Sequence, residues 1–454
     1  MNRKEKAIPF RRHTREALAN PTLRAALRTA TDTFTTKRKQ AVSGIPLEQW
    51  RETASSIRLD ALNHLSDYLD QFSRNAANAG AVIHRAEDAV AACEIIGAVL
   101  KERGIRTVVK SKSMVTEEIR LNSSLECQGI RVVETDLGEY IIQMANEPPS
   151  HIIVPAIHKD RHQVGKLFAE KLGCGYTEEP SELTRIAKTV LREEFLSAEA
   201  GISGANFATA DSGSLVLFTN EGNGRMVTTL PSLHIAVLSV EKIIPSLGDI
   251  PVFLRLLPRS ATGQILTTYV SVITGTRKLQ EFTGATELHI VLVDNGRSHI
   301  VQGPYREMLK CIRCGACLNA CPVYRTVGGH AYGTTYPGPM GIVLTTLLKG
   351  MENAHPLLDA TTLCGACGDV CPVKVPLPRL LRELREAKIE KGFVPFFEQL
   401  AMKSFGWTVR SEWVFSFGQW AARNLIALAK RFHPHGTLAR MPDPVRGNLG
   451  GKAA

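Results

Sequence analysis

Cys311-Ile-Arg-Cys314-Gly-Ala-Cys317-Leu-Asn-Ala-Cys321-Pro322, answered further on by Cys364-Gly-Ala-Cys367-Gly-Asp-Val-Cys371-Pro372, decides how the 454-residue chain is organised. The first run repeats the bacterial ferredoxin spacing for a 4Fe–4S cluster. Three cysteines two residues apart wrap one face of a cubane from a tight loop, and the next one opens a helix and reaches the other cluster. By that crossing rule, site one takes Cys311, Cys314, Cys317 and Cys371, and site two takes Cys321, Cys364 and Cys367. Counted back from Cys371, a complete second run would start at position 361, which is Thr361. Site one therefore reads as 4Fe–4S. Site two reads as 3Fe–4S, as 4Fe–4S with its fourth iron held by water, substrate or a residue such as His330, or as a half-occupied structural site. Zinc is the competing metal, but zinc ligands usually come as two pairs and not as interlocking runs.

Seven of the ten cysteines lie between Cys311 and Cys371. A disulfide scaffold would be a small secreted domain, which this chain does not resemble. Cys93, Cys127 and Cys174 are scattered and read as small buried hydrophobes.

Upstream, short β-rich runs alternate with helical stretches. The runs are Arg106–Lys110, Ile130–Glu134, Ile152–Ile157, Ser214–Thr219, His234–Val240, Ser271–Thr276 and Leu288–Asp294, with helices over Asp160–Leu172 and Glu182–Ala198. This pattern predicts an α/β domain with a mainly parallel sheet. Residues 1–105 read as mostly helical from the spacing of Leu59, Leu62, Leu65 and Leu69.

Three stretches of the α/β region are candidate ligand sites. Lys110–Glu118 places Lys and Ser after a strand, as an anion site or as a turn capped by Ser113 or Thr116. Gly201–Ser214 is rich in small residues, as a ligand loop or as two turns flanking a helix. Asn220–Arg225 offers Arg225 to a carboxylate or is a plain glycine-rich hairpin. No nucleophile–base pair can be assembled from them, so the catalytic residues are unknown.

The net charge of +11 is uneven: +8 over residues 1–40, +7 over residues 379–454 and −4 between. Basic ends suit an acidic partner or an anionic membrane surface, or serve solubility alone. No zinc-finger, KH or RRM pattern is present, so no nucleic-acid partner is expected. No apolar run approaches 18 residues, and Met1–Arg12 has no following secretory core, so the expected location is cytoplasmic, with peripheral membrane contact open. Phe393, Phe396, Phe397, Phe405, Trp407, Trp413, Phe415, Phe417 and Trp420 read as core packing, or as an amphipathic surface. The tail after His433 is rich in Pro and Gly and is expected to be poorly ordered.

Taken together these residues resemble the lactate utilisation protein B family of iron–sulfur proteins. The resemblance rests on both cysteine runs, on Gly329-His330-Ala331-Tyr332-Gly333 with Tyr336-Pro337-Gly338-Pro339, on Lys110–Glu118, and on the Gly201 and Glu221 stretches. It implies an N-terminal helical region (1–68) and a LUD-type α/β domain (69–300), similar to the NagB/RpiA/CoA-transferase folds. An α-helical double-cluster ferredoxin domain (301–380) and a helical, family-specific C-terminal segment (381–454) follow. The implied role is electron transfer during oxidation of L-lactate to pyruvate, with a LutA-like cysteine-rich protein and a LutC-like LUD protein as partners. The alternatives are a redox-sensing module whose α/β domain binds a small carboxylate or phosphate, and a scaffold with inert clusters.

Overall fold

Among the described residues ten strands build two sheets, and their composition explains where each sits. They are β1 (Ala81–Ala86), β2 (Thr107–Lys110), β3 (Arg131–Glu134), β4 (Ala200–Ser203), β5 (Phe207–Thr209), β6 (Ser214–Thr219), β7 (Leu233–Ser239), β8 (Ile243–Ile244), β9 (Tyr269–Ile273) and β10 (Glu287–Val293). The larger sheet has the order β1-β10-β7-β4-β2-β3 and is parallel throughout. Its central strands β4 and β7 are buried along their whole length, as parallel strands covered on both faces must be. β1, at the edge, leaves Val82 and Arg85 exposed. The smaller sheet runs β8-β5-β6-β9, antiparallel except for β8 with β5.

The computed structural model describes residues 7–432. The first six residues and the tail from His433, with the expectation of disorder placed on it, lie outside the described residues. Described residues up to Arg385 form one compact unit, and those from Glu386 onward a second.

Helices cover the larger sheet. Asp88 caps Ala89–Glu102 by accepting from the Ala91 amide at 2.9 Å. Asp160 and Gln163 close a capping box on Arg161–Leu172. The N-terminal helix Leu47–Asn63 is held by Arg58, which is 1% exposed. Its guanidinium donates to the carbonyls of Ile243 (3.0 Å), Leu309 (2.7 Å), Lys310 (3.2 Å) and Glu241.

Three expectations fail locally. The apolar run Ile152–Ile157 is not a strand. His151 Nδ1 accepts the amides of Ile153 (3.0 Å) and Val154 (3.1 Å), so a side chain replaces ladder partners and the run turns. Gly201–Ser214 holds β4 and β5 and no helix, and Asn220–Arg225 leads into the helix Asn223–Thr229 instead of forming a hairpin.

In the second unit, helices Phe396–Thr408 and Glu412–Phe432 carry most of the aromatic residues. Phe396, Phe397, Phe405, Trp407, Trp413, Phe417 and Trp420 are exposed, not packed as core. Phe417 stacks on Trp413 (6.2 Å) and on Trp420 (5.7 Å), as neighbours on one helix face do.

Candidate metal centre

The two cysteine runs curl in the same way. Cys311 leaves a short helical turn, Arg306–Lys310, and Arg313 and Gly315 then take positive φ values of 60° and 76°. The chain reverses there, and the helix Ala316–Ala320 begins. In the second run Leu363 (φ 54°) and Gly365 (φ 87°) precede the helix Ala366–Asp369. The two short helices pack together.

This curling sorts the thiols into two groups. Cys311, Cys314, Cys317 and Cys371 line one cavity, closed by Ile152, Met308, Ile312 and Val375. Cys321, Cys364 and Cys367 line another, with Thr361, Thr362 and Leu363. His330 does not join that wall: its Nε2 lies 2.8 Å from the Pro148 carbonyl, and its ring meets His158 edge-on. All seven thiols are free of disulfides. Among the described residues, no three His, Cys, Asp or Glu side chains converge as ligands of a single ion.

The electrostatics ask for a compensating charge. Burial pushes up the thiols of Cys314 and Cys317, and the neighbouring cysteines push further. The same two causes carry Cys371 to about 11 and Cys367 to about 12. Four thiolates cannot share such a space without a positive group among them. Amides already aim at two sulfurs, Arg313 N at Cys311 Sγ (3.4 Å) and Val375 N at Cys371 Sγ (3.2 Å). Cys364 differs. It is exposed, and a hydrogen bond from Thr362 holds its thiol below the ordinary value. The donor set and the two thiol-lined spaces fit iron–sulfur clusters.

A third and larger space, about 340 Å³, adjoins the first. It lies beyond the carboxyl ends of parallel strands, where open α/β sheets bind ligands. Lys112 follows β2, Asp136 follows β3, Gly204 and Asn206 follow β4, and Lys242 follows β7. Ile312, Arg313 and Tyr336 close the opposite side. Ile152, Ile312 and Arg313 belong to the walls of both this space and the Cys311 cavity.

The three candidate stretches therefore meet in one place, through Lys112 and Ser113, Gly204 and Asn206, and Asn220 and Glu221. Ser113 caps the helix Met114–Glu118 while also lining the space. Arg225 does not line it and stacks over Tyr269 at 5.3 Å. Sequence reasoning missed Ile152, Asp136, Lys242, Arg313 and Tyr336. The signals available were the position of Arg313 inside the first run and of Asp136 as a helix cap.

A buried ion network binds the two regions. Glu241 lies 3.0 Å from Arg313 Nη2 and 2.7 Å from Arg297 Nε. Arg297 also grips Glu118 (2.7 and 2.8 Å), and the Tyr336 hydroxyl donates to Glu118 at 2.7 Å. Arg313 completes the ring over the Tyr336 face at 5.0 Å. Burial alone would raise the Glu241 carboxyl, but Arg297 and then Arg313 outweigh it and hold it at about 2.

The profile of the LUD domain matches residues 69–293, and that of the 4Fe–4S dicluster domain matches residues 307–375. Lactate utilization protein B of Bacillus licheniformis is 44% identical over 96% of this chain and 92% of its own. The protein of the same name from Bacillus subtilis is 45% identical, over 91% of this chain and 87% of its own. The electron transport protein YkgF of Escherichia coli, described as uncharacterized, is 44% identical over 90% and 86%. With relatives this similar along nearly its full length, the chain belongs to the lactate utilization protein B family.

Proposed function

We propose that the chain is the iron–sulfur electron-transfer subunit of a system oxidising L-lactate to pyruvate. Cys311, Cys314, Cys317 and Cys371 would hold a 4Fe–4S cluster, and Cys321, Cys364 and Cys367 a second cluster, 4Fe–4S or 3Fe–4S. The observation that carries this reading is the division of seven thiols between two cavities, each drawing on both runs. Clusters bound there supply reversible one-electron chemistry.

The chain's own residues set the conditions. The amides of Arg313 and Val375 donate to sulfurs and favour the more negative state. Ile152, Met308 and Ile312 keep water from the first cavity. The exposed Cys364 opens the second towards the surface, where a redox partner would reach it. A LutA-like cysteine-rich protein and a LutC-like LUD protein are the partners in this reading. The setting is the cytoplasm, and the exposed aromatic helices of the second unit offer a peripheral membrane contact. No described helix is long and apolar enough to cross a membrane.

Anaerobic purification with iron and sulfide counting and electron paramagnetic resonance tests this. Two reducible clusters are expected, with little lactate oxidation by the chain alone. Colourless protein carrying zinc would overturn the reading.

A further inference from the structure

Basic side chains line the space beyond the sheet and some of their donors lack a hydrogen-bond partner, although the carboxylates of Asp136, Glu139, Glu221 and Glu117 all act on Lys112. Lys112 lines it, and its Nζ is closed off from bulk water without a hydrogen-bond partner. Arg313 is 8% exposed and spends Nη2 on Glu241, while its Nε and Nη1 have no partner. Lys242 is a third buried basic side chain on the same wall, its amine pushed down to about 7 by burial and then by Arg313. Buried donors left unpaired at a cavity wall cost free energy unless something accepts from them.

We propose that this space is a binding site for a small organic carboxylate carrying a hydroxyl or oxo group, its carboxylate held by Lys112 and the free edge of Arg313. The choice of a carboxylate over a phosphate follows from the rest of the wall. Asp136 and Glu221 also line the space. They accept from a ligand hydroxyl but repel a second negative charge. Partial burial, and then Asp136 beside it, push the Glu221 carboxyl up to about 7. At neutral pH it therefore either donates to or accepts from a ligand oxygen. The volume of about 340 Å³ is at the small end for ligand sites, which suits a small acid and not a dinucleotide.

Position gives the site its meaning. Because Ile152, Ile312 and Arg313 wall both spaces, the ligand would lie one side chain from the Cys311 cavity. This part deepens the electron-transfer reading and rests on it. The binding itself does not.

The test is calorimetric titration of the anaerobically purified full-length holoprotein with L-lactate, pyruvate and inorganic phosphate in turn. Saturable binding of a carboxylate is expected, with phosphate at least tenfold weaker. Lys112→Met is expected to weaken carboxylate binding at least tenfold at unchanged iron content, and Lys112→Arg to retain it. Addition of the bound carboxylate to the reduced wild-type protein is expected to shift one cluster signal and leave the other. Absence of saturable carboxylate binding by the wild-type protein would overturn the proposal, whatever the variants do. So would equal affinity for phosphate, or unchanged binding in Lys112→Met. Zinc in place of iron would sink the electron-transfer reading while leaving the titration interpretable.

Discussion

Arg313, in the left-handed turn between the first two cysteines, lies 3.0 Å from Glu241, two residues past the end of β7. The loop that carries the first thiols is thereby ion-paired to the α/β domain. Glu241 also serves Arg297, so one carboxylate bridges two buried guanidinium groups, while Glu118 pairs with Arg297 from the other side.

Removing that charge is expected to be costly. Glu241→Gln keeps the shape but leaves the buried Arg313 without its carboxylate and Arg297 with Glu118 alone. Breaking a buried pair costs about 3–5 kcal/mol. Thermal unfolding should show the loss, and iron analysis should show depletion at the first site before the second.

Arg58→Met is expected to strip four carbonyls of their donor, two of them in the turn that leads into Cys311. Each acceptor left without a partner costs on the order of 1–3 kcal/mol unless water reaches it. Arg58→Lys cannot span the same acceptors and should rescue only in part. Urea midpoints of the three proteins measure this.

The two cysteine-loop glycines should respond differently to alanine. A Cβ at Gly315 would meet His151 Cε1 at 3.2 Å and Ile153 Cγ1 at 3.3 Å, on top of a φ of 76°. At Gly365 (φ 87°) nothing lies within 4 Å. Left-handed strain costs about 1–2 kcal/mol at either position, and Gly315→Ala adds the clash. Cluster content should fall further in Gly315→Ala, and chiefly at the first site.

Stability should fall on acidification below neutrality because of His234. Burial lowers its imidazole from 6.5 to about 4, and Nε2 lies 2.7 Å from Ser203 Oγ. Between these values the unfolded chain takes up a proton that the folded chain refuses, so folding loses stability as pH drops from 6.5 towards 4, with a limiting slope of about 1.4 kcal/mol per pH unit. His151 and His158, lowered by burial to about 3 and about 4, add to the same slope. Denaturation curves from pH 7 to 5 should show it, and His234→Gln should reduce it by one histidine's share.

Thr361→Cys places a thiol on the wall of the second cavity, where the second run lacks its first cysteine. If the native cluster has three irons, iron counting should rise by one and the resonance signature change. If it already has four, the count should hold while the midpoint potential moves.

Which thiols line which cavity could be anticipated because spacing within a run is local, and a crossing rule needs no knowledge of the fold. The strands β6, β7 and β10 were legible for a similar reason: each holds an apolar run, residues 215–218, 235–238 and 290–293. β1 was hidden because an edge strand containing His84 and Arg85 looks like part of its helical surroundings. Ile152–Ile157 misled because its apolar residues face two cavities through a turn, and apolar composition does not say which kind of interior it lines. The larger space was legible only in fragments. Lys112, Asn206 and Glu221 lie in separate stretches, and only the crossovers of a parallel sheet bring them to Arg313.

Ile152, Ile312 and Arg313 form a partition between two cavities, one lined by four thiols and the other by Lys112 and Asp136. No substitution there can be confined to one cavity. Reshaping the partition to admit a bulkier acid would also change the dielectric and the positive field felt by the sulfurs behind it. Ligand preference and redox poise would then drift as one inherited trait, and selection on either would leave its mark on both.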